Sequence, residues 1–401
     1  MRLLVLSDLH VGEKARTKDL CPYPAGEKKE DSLVPSFFQS IKEDIAKHGP
    51  IKYVVISGDM TNSAQIVEYE CFSKFIEDLS KTITVNIENF IFTPGNHDVD
   101  WSVFKNELLP SRIGNIIKYD TIQDGRFHQL GSIIPKTLFV EPYFDIKLFE
   151  DSAFVIYNSS WHDAAQMEDH YGTIEDEHLN VLKARLDDIQ NEIDSKLKFF
   201  ITHHHPYQYP NLSEKEFSCM QNGGALLDRL SEFSFDFIIH GHKHIPFFNH
   251  LEINNLPKIN MLSSGSYSRE IPTKFFNKNV ANLYHIIDFE DVIDKKGKVI
   301  SKAYNPLEKR WIDSGYDNHG IHHINYFGCK LKLDDIQNLF EKELEKLKKN
   351  EVKRLDELVS LHPEIKYLSS QAKGLLISRI EKSLGLNLAR TTDSIDLLVK
   401  L

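Results

Sequence analysis

The chain has 401 residues, 41% of them hydrophobic and 27% charged, a balance that suits one large globular domain with an appendage, or two domains. A formal net charge of -11 argues against a protein that coats nucleic acid through bulk electrostatics, while leaving room for one locally positive cleft. No apolar run approaches the ~20 residues of a membrane span, residues 1–7 read as a core strand and not a signal peptide, and the scattered cysteines lack any CxxC pair, so free thiols in the cytoplasm are expected.

Taken in order, Arg2 to Ser7 is a buried strand that ends in Asp8-Leu9-His10, whose alternation points Asp8 and His10 to one side. A polar stretch over 11–33 reads as a loop over a site. Phe37 to Ala46 has a helical stripe, and Tyr53 to Ser57 is a second strand, ending in Gly58-Asp59-Met60-Thr61-Asn62. Tyr69, Phe72, Phe75, Ile76 and Leu79 mark another helix. Phe90, Ile91 and Phe92 form a third strand that stops at Pro94-Gly95, with Asn96-His97-Asp98 following at once. Residues 101–150 show no sustained period and read as an insertion that shapes the site.

Ala153 to Tyr157 is again strand-like, and a helix is expected from Glu175 to Ile193. Phe199 to Thr202 ends in His203-His204-His205-Pro206, and a helix over Gly224 to Phe233 follows. Phe235 to Ile239 ends in Gly241-His242-Lys243-His244, and Ile259 to Leu262 runs into Ser263-Ser264-Gly265-Ser266. Strands alternating with helices, with polar residues at the strand ends, predict a layered α/β fold that binds ligands at the C-terminal strand edge. Residues 280–316 alternate around a turn at Asp294 to Gly297 and read as antiparallel strands. They close a domain expected over 1–325. From Asp334, Ile336, Leu339, Phe340 and Leu344 fall at helical spacing, and Pro363 precedes two shorter helices. Residues 326–401 are therefore expected to be a helical region that packs on the core, a second copy or a partner protein.

The strand ends supply carboxylates, imidazoles and one amide oxygen, with no thiolate. Mixed N/O ligation suits Mn, Fe, Zn, Co or Ni and not a cysteine cage. The groups are too many for one tetrahedral ion but serve two, and one bridging carboxylate can hold two cations about 4 Å apart and acidify a water between them.

Asp8-x-His10, Gly58-Asp59-x-x-Asn62, Gly95-Asn96-His97-Asp98, His204-x-Pro206 and Gly241-His242-x-His244, in this order, resemble the pattern of the calcineurin-like metallophosphoesterase family over residues 1–290. The resemblance implies an α/β fold, a layered β-sandwich flanked by helices, and a helical C-terminal appendage lies outside it. It implies two divalent metal ions (Mn, Fe or Zn), with Asp8, His10 and His244 on one, Asn96, His204 and His242 on the other, and Asp59 bridging. His97 would be the general acid and Asp98 its orienting partner. His203 and His205 compete with His204 for its place, since alternation keeps the three from facing one point.

The stretch from Ser57 to Ser63, with Tyr69-x-x-Phe72, is similar to the branch that includes class III cyclic-nucleotide phosphodiesterases. Asp8-Leu9-His10-Val11-Gly12 is similar instead to double-strand-break repair nucleases. The first expectation is a phosphodiesterase or phosphatase acting on a nucleotide or small phosphate ester. The second is a nuclease with a protein partner on the tail, and the third a scaffold with a vestigial site. Asn62 is expected to support the Asp59 loop. His170 and Arg269 are further candidates for substrate contact, and Trp101 and Trp161 for base stacking. His319, His322 and His323 read as surface loop.

Overall fold

The computed structural model describes residues 1–98, 143–161, 170–208, 218–252, 258–269, 281–346, 352–384, 386–390 and 396–400. Most of the expected insertion over 101–150, Trp101 included, lies outside the described residues, as does His162. The chain forms two compact units, one of Met1–Ile287 with Ile300–His323, the other of Asp288–Val299 with Ile324–Leu401.

In the first unit, β1 (Arg2–Leu6), β2 (Tyr53–Ser57) and β3 (Phe90–Thr93) pair in parallel, Leu3 beside Tyr53 and Val54 beside Phe90. All their residues are buried, which is why they read as unbroken apolar runs. With β10 (Leu283–Asp291) and β11 (Lys296–Asn305), of which Leu283–Ile287 and Ile300–Asn305 belong to this unit, and β12 (Arg310–Asp313), the sheet order is β12-β11-β10-β1-β2-β3. A second sheet contains β4 (Phe144–Leu148), β5 (Ser152–Tyr157), β6 (Leu197–Ile201), β7 (Phe237–His240), β8 (Pro246–Leu251) and β9 (Ile259–Ser264). Its order is β4-β5-β6-β7-β9-β8; the four central strands are parallel, and β4 and β8 are antiparallel edges.

The sheets face one another. Tyr53 of β2 packs on Phe154 of β5 with ring centroids 5.2 Å apart, and the Thr93 hydroxyl donates to the Tyr157 carbonyl at 2.8 Å. Helices cover the outer faces. α1 (Leu33–His48) buries Leu33, Phe37 and Ile41, four residues apart, and α2 (Ile66–Ile83) buries Tyr69, Phe72, Ile76, Leu79 and Ile83 at alternating spacings of three and four. A reciprocal Gln65–Glu68 capping box starts α2, and Thr84 ends it by turning left-handed at φ 56. α3 (Asp176–Asp188) and α4 (Gly223–Glu232) lay Leu179, Leu182, Leu226 and Leu230 on Val155, Phe200 and Ile238 of the second sheet. The expected α/β sandwich flanked by helices is the observed fold.

In the second unit, α5 (Leu333–Leu344), α6 (Leu355–Leu361) and α7 (Ser370–Leu384) enclose a core of its own, with Ile336, Phe340, Leu344, Leu358, Leu376 and Ile380 buried. The helical pattern of the tail is there. Three short strands, Val352–Arg354, Leu386–Arg390 and Asp396–Lys400, add an antiparallel sheet that the sequence pattern does not announce. Among the described residues no helix is long and apolar enough to cross a membrane.

Phe37 joins α1 to the first sheet. Fully buried, its ring lies 5.1 Å from those of Tyr267 and Tyr284 and 5.9 Å from Trp311. Phe37→Ala would leave a cavity among three rings that cannot collapse together, a loss of about 3–5 kcal/mol. Urea unfolding is expected to show the midpoint falling at unchanged slope; a loss under ~1 kcal/mol would mean that this aromatic cluster does not hold the helix.

Candidate metal centre

The C-terminal ends of β1, β2, β3, β6 and β7 meet at one edge of the sandwich. Five of the residues expected as ligands sit there in the left-handed backbone region: Asp8 (φ 51), His10 (φ 47), Asp59 (φ 50), His242 (φ 80) and His244 (φ 57). That conformation costs roughly 1–2 kcal/mol per residue, somewhat less for Asp and His than for bulkier side chains. The neighbouring loop holds it in place. Asp8 N–H donates to the Gly58 carbonyl at 3.0 Å, His10 N–H to Asp59 at 2.9 Å and Val11 N–H to Met60 at 3.0 Å. Each such bond contributes about 1 kcal/mol and offsets part of the local strain.

The side chains then converge. Asp8, His10, Asp59 and His244 are buried and offer one ligand atom each, all within 4.8 Å of one another. His10 Nε2 lies 3.1 Å from His244 Nε2, which lies 3.1 Å from Asp8 Oδ1. Asp59 divides its oxygens: Oδ2 is 3.4 Å from His10 Nε2, and Oδ1 is 3.3 Å from His203 Nε2. His203 Nε2 is 3.1 Å from Asn96 Oδ1, which is also 3.1 Å from His242 Nδ1. The seven side chains thus form two groups that share Asp59.

Position 204 is corrected by this geometry. Both ring nitrogens of His204 are engaged elsewhere, Nδ1 with the Ser159 hydroxyl at 2.8 Å and Nε2–H donating to the His170 carbonyl at 2.8 Å. His203 faces Asp59 instead, and its Nδ1–H donates to the Ser57 carbonyl at 2.9 Å, which leaves Nε2 toward the cluster. The ring of His205 packs 6.1 Å from those of His240 and His242. Counting back from Pro206 points to His204, whereas the ring that faces Asp59 is that of His203, because three adjacent rings take three directions at a strand end.

Asp98 is the second correction. Its carboxylate accepts from the backbone N–H groups of Gly95 (2.8 Å), Thr61 (2.8 Å) and Met60 (3.2 Å) and from the Thr61 hydroxyl (2.9 Å), so it ties the two loops together. Burial, with Asp59 nearby, pushes its pKa up to about 7 against the pull of those donors. The group that meets the His97 ring is the Asn62 carbonyl, 2.7 Å from Nδ1. His97 N–H donates to Asp59 Oδ1 at 2.9 Å, and its ring stands edge-on to His10 at 4.8 Å.

Burial lowers the pKa of His10, His242 and His244, which keeps these imidazoles in the neutral form that binds cations. Burial raises that of Asp59, but His203, His97 and His10 outweigh it and hold the carboxyl well below the usual range. Burial likewise lowers that of His203, and Asp59 and Asp8 reverse the sign, raising it to about 9. The cluster therefore draws positive charge, as a proton on His203 or as a cation beside the same carboxylates. Donors held at about 2.0–2.2 Å by one cation stand roughly 3 Å apart, which is the spacing found here. His242 Nε2 is moreover a buried ring nitrogen with no hydrogen-bond partner among the described residues. The donor set fits divalent cations.

Hydroxyls complete the frame. Ser7 Oγ donates to Asp8 Oδ2 at 2.6 Å, Ser266 Oγ to the Asp8 carbonyl at 2.8 Å, and Ser268 Oγ to the Leu9 carbonyl. These serines carry no expected role in the sequence pattern, although Ser7 beside Asp8 and the repeated serines of Ser263-Ser264-Gly265-Ser266 were the available signal. Glu68, fully buried, accepts from Tyr23, Ser63 and the Gln65 backbone, and so binds the 11–33 loop to the one after β2. Among the weaker candidates, Trp161 is buried, donates to the Thr173 carbonyl and packs on Tyr143 and His178, which makes it core. His319 accepts from the Gly315 N–H, His323 donates Nδ1–H to the Ser301 carbonyl of β11, and His322 stacks on Tyr316. Arg269 does reach the cluster, with Nη1 3.3 Å from His10 Nε2.

The model of the calcineurin-like phosphoesterase family matches residues 1–246, the span that carries every residue of this cluster. The chain belongs to the calcineurin-like phosphoesterase family. Its chemistry is metal-dependent hydrolysis of phosphoesters, for which the family uses a dinuclear divalent metal site. A search of the curated proteins finds no match. Among solved structures, a dimetal phosphatase from Danio rerio is 12% identical, with 76% of this chain and 95% of that one covered at a TM-score of 0.46. GAP50, the anchor in the inner membrane complex of Plasmodium, is 13% identical with 80% and 90% covered at 0.40. Phosphopantetheinyl hydrolase from Mycobacterium tuberculosis is 13% identical with 65% and 87% covered at 0.33.

In this phosphoesterase the glycines of the strand ends permit close backbone approach. A Cβ on Gly95 would stand 2.4 Å from the Asp59 backbone nitrogen and 2.2 Å from its Oδ1. Backbone cannot swing aside as a long side chain can, so Gly95→Ala must displace Asp59. We expect unchanged far-UV circular dichroism with metal content after Mn²⁺ loading reduced by at least half; full occupancy in the variant would show that Asp59 tolerates the shift.

Proposed function

We propose that the chain hydrolyses the phosphoester bond of a nucleotide or another small phosphate ester, with diesters of the class III cyclic-nucleotide type and phosphomonoesters both as candidates. The observation that carries the site assignment is the division of the Asp59 carboxylate between two groups of ligands. Asp8, His10 and His244 would hold one divalent cation, and Asn96, His203 and His242 the other, with Asp59 between them. Mn, Fe and Zn all suit this mixed N/O set. Bound there, the cations supply Lewis acidity and an acidified water.

The chain's own groups do the rest. His97 donates its Nδ1–H to the Asn62 carbonyl, and as the imidazolium, with a second proton on Nε2, it would deliver that second proton to the departing oxygen and be left neutral. Asp98 holds the loops of Asp59 and His97 in mutual register and takes no proton from the reaction. The acidic balance of the whole chain favours a small ester over a polyanion.

The test is turnover after chelation and Mn²⁺ reloading, on bis-p-nitrophenyl phosphate, a cyclic nucleotide and single-stranded DNA in parallel. Asp59→Asn and His203→Ala are expected to lose more than about 100-fold together with bound metal, and His204→Ala much less. The reverse order for the two histidines would overturn the ligand assignment, and cleavage of DNA alone would overturn the small-ester reading. A separate expectation concerns His97→Ala. It should keep its metals and slow esters of poor leaving groups by about 10²–10⁴ while slowing p-nitrophenyl esters less; equal slowing on both would remove His97 from the role of acid.

A further inference from the structure

Arg269 lies in a segment that crosses the loop after β1. Its N–H donates to Ser266 Oγ at 3.0 Å, its carbonyl accepts from Asn282 Nδ2 at 3.0 Å, and an isolated bridge pairs it with Ala15. The main chain at Arg269 is thus fixed without help from the side chain. The side chain turns into the site, with Nη1 3.3 Å from His10 Nε2 and 3.5 Å from His244 Nε2. Among the described residues no carboxylate stands within ion-pair distance of the guanidinium.

That is an unusual environment for a half-buried arginine. The guanidinium is permanently charged and carries five N–H donors in a fixed fork. A neutral imidazole offers it a single lone pair, and the lone pairs of His10 and His244 are also those a cation beside Asp8 and Asp59 would take. In either state most of the fork meets no anion among the described residues. The partner that suits it is an anionic oxygen carried in by the ligand, and arginine takes phosphate oxygens two at a time.

Building on the phosphoester reading above, we infer that Arg269 binds a non-bridging oxygen of the substrate's phosphoryl group and biases the site toward the phosphate with more negative charge. The guanidinium adds a unit of positive charge on the His10 and His244 side, beyond what the metals supply. A terminal phosphate dianion presents more anionic oxygen to that charge than a diester does. It therefore gains more from Arg269, and the residue acts on affinity for the phosphate and on choice between ester classes. Its side chain is not needed to retain metal, because it competes for ring nitrogens that the metal uses.

The experiment uses the full chain, chelated and reloaded with Mn²⁺, as wild type, Arg269→Ala and Arg269→Lys. Metal content is measured first, then orthophosphate binding by calorimetry, then kcat/KM on p-nitrophenyl phosphate and bis-p-nitrophenyl phosphate. Arg269→Ala is expected to hold as much Mn²⁺ as wild type and to bind orthophosphate at least about tenfold more weakly, the effect of losing one charge-assisted hydrogen bond. Its kcat/KM should fall more on the monoester than on the diester, and Arg269→Lys should recover part of the orthophosphate affinity because it restores the charge without the fork. Unchanged orthophosphate affinity in a metal-replete Arg269→Ala variant would overturn the inference, as would loss of metal in both variants. A wild type that binds orthophosphate but cleaves neither ester would refute the proposed function and leave the phosphate-binding role of Arg269 to be decided by calorimetry.

Discussion

Asp59 is 1% exposed, with one carboxylate oxygen 3.4 Å from His10 and the other 3.3 Å from His203. A buried carboxylate is stable as an anion only while positive charge or donors stand against both of its oxygens. Nearly everything at this edge of the sandwich serves that condition. His97 reaches Oδ1 with its backbone N–H, and the fully buried Asp98 locks the His97 loop to the Asp59 loop through backbone and hydroxyl donors. The requirement also runs between the sheets, because His203 comes from the end of β6 and Asp59 from the end of β2. Their contact depends on packing such as Tyr53 on Phe154, far from any ligand atom. Core and centre are one mechanical system here, and the centre inherits its precision from the core.

The same condition explains where strain is stored. Left-handed backbone at Asp8, His10, Asp59, His242 and His244 turns successive side chains toward one point, which a regular strand cannot do because it sends neighbours to opposite faces. Glycines make room on the facing loops: a Cβ on Gly58, at φ 95, would fall 2.3 Å from His203 Nδ1. The strain is local, and the bonds that offset it are local too, since each of the loops after β1 and β2 supplies the donors or acceptors that the other needs.

This division of labour decides how much of the structure could be read from the residues. The central strands were legible because burial on both faces leaves only apolar side chains, and the points where they stop are where the ligand chemistry begins. The two strands of the second sheet that escaped notice, β4 and β8, are its edges, half-exposed and interrupted by polar residues, with Pro246 opening the latter. In the small sheet of the tail, Val352–Arg354 pairs with a segment more than thirty residues away, which no local period encodes. At the centre the ligand types were evident, but the choice among His203, His204 and His205 was not. It turns on the direction of each ring, set by hydroxyl and carbonyl partners such as Ser159 and Ser57. Serine is too versatile a residue for its spacing to reveal such a role. For Asp98 the expected partner was the imidazole beside it in sequence; the partners it has are the Thr61 hydroxyl and three backbone amides, and the amides leave no trace in the side-chain pattern.

The contrast between the whole chain and the centre bears on the kind of substrate that fits. A surface with a formal charge of -11 repels a long polyanion wherever the two come within a Debye length, about 8 Å at physiological ionic strength. A small phosphate ester meets that repulsion only while it approaches. Once inside, it would leave the screened surface for a region where divalent cations, when bound, stand with the Arg269 guanidinium against two carboxylates, and where low polarisability strengthens each attraction. The advantage lies with ligands whose charge is concentrated on the one group that enters. For a nucleotide or another small ester the favourable term is gained almost in full, whereas a polymer would retain most of its charge outside, against the acidic surface. Net charge and site charge thus work in the same direction: the first weakens binding of extended anions, and the second rewards a single phosphoryl group that can reach the strand ends.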